Sequence, residues 1–191
     1  MLKKSITYFT KKGQINTEET IRLAYERALE LKIKDIVIAT THGYTALKVA
    51  EVFNNPKFNL VAVSISEAYS DQNMTMTQEE RTKLTTKGIK VFTGTCLLDG
   101  DVNTAFRETF NGISISEVVG RTLYAFCQGM KVCIEIVLMA TDAGLIPVDK
   151  EVIAIAGTGK GADTAIVVVP AYPRKFLNLR VNEIIAKPRA G

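Results

Sequence analysis

Two hydrophobic patterns alternate along the chain. Short runs are continuously apolar, as in Asp35-Ile36-Val37-Ile38-Ala39, Leu60-Val61-Ala62-Val63-Ser64-Ile65 and Val152-Ile153-Ala154-Ile155-Ala156. A strand that is apolar on both sides is covered on both faces, so these runs read as buried strands of a parallel sheet. Between them, apolar residues recur at helical spacing. Asn16 stands three residues before Glu19, a capping-box spacing, and Ile21, Leu23, Ala24, Ala28, Leu29 and Leu31 then form one helical face. A second helix is predicted over residues 44–53, ended by Asn54-Asn55-Pro56. Thr77 and Glu80 form another capping box for a helix ending near Gly88, and Asp101 caps a helix from Val102 to Phe110. Residues 6–9, 89–92 and 165–169 read as further strands, residues 181–186 as a last edge strand, and Lys187-Pro188-Arg189 as a loose tail. The polar stretch 66–76 has no periodicity and suits a loop that covers a ligand.

The longest periodic segment starts at Ser114, with Glu117 as capping partner, and runs to about Gly144. Glu117, Arg121, Tyr124, Gln128, Lys131 and Glu135 follow one another in steps of four and three residues, which is one stripe of a helix. Solvent, a ligand crevice or a subunit interface can each face such a stripe. Gly129 allows close packing or divides the run into two helices. Taken together, residues 1–191 read as a single α/β domain, an open three-layer sheet with helices on both faces.

Composition narrows this picture. A 191-residue chain with 47% hydrophobic and 23% charged residues is one ordinary globular domain. A net charge of +4, dispersed along the chain, gives no footprint for nucleic acid. No apolar run reaches the roughly 18 residues of a membrane span. Met1-Leu2-Lys3-Lys4-Ser5 lacks the apolar core of a signal peptide, and the spacing of Cys96, Cys127 and Cys133 suits reduced, buried thiols. A cytoplasmic location, with neither nucleic-acid nor membrane partners, is the expectation.

Chemistry concentrates in two loops. Gly157-Thr158-Gly159-Lys160-Gly161-Ala162-Asp163-Thr164 follows the apolar run 152–156. Its glycines let backbone amides converge on an anion, its threonines add hydroxyl donors, and Lys160 adds a positive charge. The plain alternative is a tight turn between two strands. The loop is not a Walker A motif, and no helix follows it as the dinucleotide fingerprint requires, because residues 165–169 are strand-like. The second loop, Thr40-Thr41-His42-Gly43-Tyr44-Thr45, joins a buried strand to a helix and sets hydroxyls beside a helix N-terminus. Gly94 and Thr95, in the turn after strand 89–92, join the candidate set. So does Arg121, whose guanidinium forms a fixed fork for phosphate or carboxylate. His42 is the only histidine, without an evident carboxylate partner in sequence. Asp163 can accept from a ligand hydroxyl or close an Asx turn. Glu135 and Asp142 read as a solvated face, and no cluster of histidine, cysteine and carboxylate has metal spacing.

The unit ending in Ile36-Val37-Ile38-Ala39-Thr40-Thr41-His42-Gly43-Tyr44-Thr45-Ala46, the strands after it and the strand–glycine loop–strand unit 152–169 resemble the C-terminal α/β domain of pyruvate kinase. The resemblance implies a sheet of five strands in the order 3-2-1-4-5, with the last antiparallel. The two anion-suited loops then follow neighbouring strands and face one crevice. In pyruvate kinases with a sugar-bisphosphate effector, a Thr-x-Ser/Thr-Gly-x-Ser loop holds a phosphate. Thr40, Gly43 and Thr45 match it, and His42 stands where a hydroxyl is usual. The barrel domain of pyruvate kinase chemistry has no counterpart in the sequence, so that activity is not expected.

Residues 17–46, 120–129, 157–165 and 183–188 resemble, more closely still, a family of stand-alone pyruvate kinase α/β-domain proteins, many of them archaeal. That resemblance implies flavin mononucleotide (FMN) as ligand, a possible flavin-dependent oxidoreductase with its reaction unassigned, and a homo-oligomer. Tyr44, Tyr69, Met74 and Met76 are placed to cover the ring. The alternatives are a sensor of a phosphorylated metabolite, such as a sugar bisphosphate, and an assembly subunit with a vestigial site.

Overall fold

The computed structural model describes residues 1 and 3–189. One seven-stranded sheet runs through it in the order β1-β7-β6-β5-β2-β3-β4. The strands are β1 (Thr7–Phe9), β2 (Asp35–Ala39), β3 (Asn59–Ser64), β4 (Lys90–Thr93), β5 (Val152–Ala156), β6 (Thr164–Val169) and β7 (Arg180–Pro188). From β4 through β3, β2 and β5 to β6 the order is the expected 3-2-1-4-5, and β6 is antiparallel to β5. Two strands extend that sheet. β7 pairs antiparallel with β6, and β1 pairs parallel with β7. β7 is therefore internal and the short β1 is the edge. The tail read as loose is strand to Pro188, and the Arg189 amide donates to the Phe9 carbonyl at 2.9 Å. Pro188 hid this strand, because its missing N–H argues against an internal position.

Alternate residues of the central strands enter two cores. Ile36, Ile38, Ile153 and Ile155 pack with Ile21, Ala24 and Ala28 of α1 (Thr17–Leu31), Val49 of α2 (Tyr44–Val52) and Leu84 of α3 (Gln78–Thr86). Val37, Val61, Val152 and Ala154 pack on the opposite face, against α6 (Gln128–Asp142). Each wholly buried Ile contributes ~1.5–3 kcal/mol, so the sheet's double covering explains its continuously apolar strands. No helix among the described residues is long and apolar enough to cross a membrane.

The capping signals divide. Thr77 and Glu80 form both bonds of their box, and Asp101 and Ser114 cap α4 (Val102–Phe110) and α5 (Ile115–Leu123). Asn16 does not cap α1. Its backbone is already helical, because a single 3-10 turn over Gln14–Asn16 leads into the helix, and its side chain donates to the Lys11 carbonyl at 2.7 Å instead.

The long periodic segment is two helices. It breaks between Leu123 and Gln128, before Gly129. Gly129 serves close packing: a Cβ there would lie 2.1 Å from Thr164 Oγ1 on β6. Gly129→Ala is therefore expected to destabilise the fold by about 1–3 kcal/mol through overpacking. Urea denaturation of the variant checks this, and an unchanged midpoint would contradict the close approach.

Candidate functional site

β2 and β5 are parallel neighbours, with Val37 opposite Ala154 and Ile38 opposite Ile155. Both strands therefore leave the sheet at the same end. On its other side β2 pairs with β3, so the winding reverses at the β2–β5 pair. Open α/β sheets form a crevice at such a point. A cavity of about 600 Å³ opens there. Thr40, Thr41, His42, Tyr44 and Thr45 line one side, and Gly157, Gly159, Lys160 and Gly161 line the other.

The glycine loop is held from behind. Asp163 is wholly buried. Its Oδ2 accepts from the amides of Gly13 at 2.7 Å and Thr158 at 3.2 Å, and its Oδ1 accepts from the Thr164 hydroxyl at 2.8 Å. The Asp163 amide donates to the Ala156 carbonyl at 3.0 Å, and the Ala162 amide donates to Thr17 Oγ1 at 3.0 Å. Gly161, with φ at +78°, sits so close to α1 that a Cβ would lie 2.3 Å from Thr17 Oγ1. Thr158, Ala162, Asp163 and Thr164 are thus scaffold and do not line the cavity. The Asp163 carboxyl is engaged by the protein itself, with three donors on its two oxygens.

What remains toward the cavity is a set of donors. Among the described residues, the amides of Gly159, Lys160 and Gly161 have no backbone partner. The Lys160 ammonium lies 5.6 Å from the centroid of the Tyr44 ring, so the two loops meet across the opening. Gly43 stands at the N-cap of α2 with φ at +85°, outside the cavity wall. No side chain caps this helix, and no acidic residue lies in its first turn. The positive end of α2 is left unneutralised beside the buried Thr40 and Thr45. Backbone N–H groups, hydroxyls, an ammonium and a helix N-terminus in one place have the chemistry of an anion receptor.

His42 has a partner that its sequence neighbourhood did not show. Its Nδ1 lies 3.3 Å from Glu80 Oε2 and its Nε2 lies 3.1 Å from the Asn73 carbonyl oxygen. The ring is thereby oriented at the cavity's edge. Burial works to raise the Glu80 carboxyl, but the Thr77 amide and His42 outweigh it and hold the group below its ordinary value.

The other end of the cavity was not anticipated. Lys131 and Glu135, read as part of a polar stripe, are buried on α6 and line the wall. Lys131 Nζ donates to Glu135 Oε2 at 2.6 Å and to Asp99 Oδ2 at 2.8 Å. Glu135 Oε1 accepts from the Leu98 amide at 2.8 Å. Burial pushes the Glu135 carboxyl up. Burial would lower the Lys131 ammonium, but the charges of Glu135 and Asp99 outweigh it and raise it. Glu135 is therefore no solvated partner of Asp142, which is exposed. Cys96 completes a cluster in which its sulfur, an Asp99 oxygen and a Glu135 oxygen lie within 4.8 Å of one another. These three could ligate a cation, but the Lys131 ammonium already bonds both carboxylates. Burial, reinforced by the Glu135 charge, pushes the Cys96 thiol up to about 11. Tyr69, Met74, Tyr124 and Gln128 complete this end, while Met76 is buried in the core below.

Three other candidates lie outside the cavity wall. Arg121 is exposed and pairs with Glu117 at 2.9 Å. The helix break explains this: Glu117 and Arg121 stay on the outer face with α5, while Lys131 and Glu135 turn inward with α6. Gly94 packs on the Phe92 ring, and Thr95 is exposed to solvent.

Residues 18–168 match the family described as pyruvate kinase, alpha/beta domain. The chain belongs to this family. The pyruvate kinase α/β domain here spans α1 into β6, so β1 and β7 fall outside the matched residues. Similar solved structures include a pyruvate kinase from Cryptosporidium parvum, 18% identical, covering 81% of this chain and 23% of that chain, with a TM-score of 0.39. A second C. parvum pyruvate kinase structure is 18% identical over 73% of this chain and 20% of that one, with a TM-score of 0.36. The C. parvum enzyme in complex with ADP is 17% identical over 90% and 24%, with a TM-score of 0.39. The chain thus spans less than a quarter of the length of these enzymes.

Lys131→Met removes the cation from two carboxylates and is expected to destabilise the protein by about 3–5 kcal/mol. Glu135 is then pushed further above its unfolded value. A raised carboxyl contributes stability below the unfolded pKa that is lost as pH rises through the folded one, so the deficit should shrink at pH 5 relative to pH 8. Urea denaturation at both pH values checks this. The double variant Lys131→Met/Glu135→Leu should recover much of the loss.

Proposed function

We propose that this pyruvate kinase α/β-domain protein binds FMN in the cavity between the loops 40–46 and 157–164. The observation that carries this reading is the convergence of two donor loops, distant in sequence, on one opening at the β2–β5 edge. FMN has a single phosphate and a flat ring, and the cavity is built with the same asymmetry. Donors gather at one end: the amides of Gly159–Gly161, Lys160, and the α2 N-terminus with Thr40 and Thr45. Tyr44, Tyr69, Met74 and Tyr124 offer aromatic and thioether surface for a ring. A volume of about 600 Å³ lies within the range of cofactor-sized sites.

Bound flavin would supply one- or two-electron transfer. The chain's own contribution is to fix the phosphate, orient the ring and keep water from one of its sides. The matched pyruvate kinases are far longer than this chain, and their activity is not carried over to it. A second reading, a sensor of a phosphorylated sugar, draws support from Asp99, Glu135 and Gln128, whose oxygens at the far end suit sugar hydroxyls.

The absorbance spectrum of freshly purified protein tests the first reading. Twin flavin bands, released by heat as FMN, are expected. A colourless protein that takes up no FMN but is stabilised saturably by a sugar phosphate would establish the second. Lys160→Glu is expected to weaken the phosphate-bearing ligand roughly ten- to a hundredfold. Arg121→Ala should leave its affinity unchanged, because Arg121 lies off the cavity wall. Unchanged affinity in Lys160→Glu would remove the glycine loop from the site.

A further inference from the structure

α4 is an amphipathic helix mounted inside out. Val102, Phe106 and Phe110 lie one turn apart on one stripe, and they are 74%, 62% and 72% exposed. The side turned toward the protein is polar: Thr104 and Arg107 are half-buried there, and the helix buries no residue at all. Arg107 donates to Glu117 of α5 at 3.0 Å, and Ser116 donates to the Asp101 cap at 3.2 Å. The two helices meet through polar groups, which leaves apolar stripes outside. On α5 and the turn before it, Ile113, Ile115 and Val118 are 84%, 85% and 50% exposed.

A surface helix ordinarily does the reverse, and nine residues form a marginal helix in water without an apolar face packed against something. These six side chains expose on the order of 700 Å² of apolar surface, above the ~300–600 Å² of the largest patch on a typical monomer and near the ~800 Å² per partner of a standard interface. We propose that the α4–α5 face is a two-fold interface between two copies of this chain.

Charge favours a second copy over other occupants. The charged groups of the two helices, Arg107 and Arg121 against Glu108 and Glu117, pair with one another within the chain and leave no net charge. A helix pair that lies on an anionic membrane carries an excess of Lys and Arg. An acidic or basic peptide would need a surface of one sign. With those charges paired within the chain, the apolar stripes are what the face presents, and an identical apolar face across a two-fold axis matches them. Tyr124, 42% exposed just beyond α5, also lines the cavity, so the interface borders the ligand site. The interface stands or falls independently of what the cavity binds.

Sedimentation velocity of the full chain over ~1 to ~100 μM tests it. A species of twice the 21.0 kDa chain mass is expected. Phe106→Glu and Ile115→Glu should each raise the dissociation constant at least about tenfold with an unchanged far-UV circular dichroism spectrum, because both side chains are exposed in the single chain. A wild-type monomer throughout that range overturns the proposal, and co-sedimentation of that monomer with phosphatidylserine vesicles would assign the face to a membrane instead. A dimer that survives both substitutions also overturns it, by placing the interface elsewhere.

Discussion

Asp163 is completely buried, and its carboxyl group accepts from three donors in three parts of the chain: the Gly13 turn, the glycine loop at Thr158, and β6 at Thr164. A buried acid left unpartnered would carry a large desolvation penalty, so these bonds form together or the local fold fails. α6 can close over them only because residue 129 is glycine; a Cβ there would also lie 3.2 Å from Asp163 Oδ1. The result is a loop whose rear amides are bonded, while Gly159, Lys160 and Gly161, which line the cavity, have amides with no backbone partner. A ligand that meets them need not order the loop first, which is the main entropic obstacle to a flexible anion site.

Much of this architecture was legible from local pattern. Continuously apolar strands, alternating with amphipathic helices, are what a doubly covered sheet requires, and the two donor loops stand out by composition. The strands that pattern could not place were β1 and β7, because a three-residue edge and a proline-bearing strand satisfy their pairing only through distant partners. Within the glycine loop, composition could not separate residues that face the cavity from those that hold it. Thr158, Ala162, Asp163 and Thr164 look like ligand contacts in sequence, and the fold turns them toward Gly13, Thr17 and one another. The Glu80 partner of His42 lies 38 residues away and was equally out of reach of spacing.

The stripe from Glu117 to Glu135 shows why periodicity alone misleads. One uninterrupted helix would keep all six polar residues on one face. The break after Leu123 sends its two halves to opposite environments. In the outer half, an exposed Arg121 pairs with a largely covered Glu117 that Arg107 also bonds, a contact open to solvent on one side. In the inner half, the same residue types become a buried ion pair, where removal of either charge is far more damaging. A signal was present in the composition: residues around Lys131 and Glu135 are apolar on every other side of the helix, unlike those around Arg107 and Arg121.

The two ends of the cavity differ in what they demand of an occupant. At the far end, the Lys131 ammonium bonds both Glu135 and Asp99, so each carboxylate has a partner within the protein and the region can accept neutral hydrogen-bonding groups. At the loop end threonine hydroxyls, the Lys160 ammonium and glycine-loop amides without backbone partners gather, and no acidic residue lies in the first turn of α2. Donors without acceptors are satisfied by water or by an anion, and the anion has the advantage of the helix N-terminus and of Lys160. Discrimination therefore follows from the pairing of a demanding end with a tolerant one. On the proposed reading, the first would select for a phosphate or a similar anion, and the second, together with the Tyr44, Tyr69 and Tyr124 surfaces, would decide by shape what that anion carries.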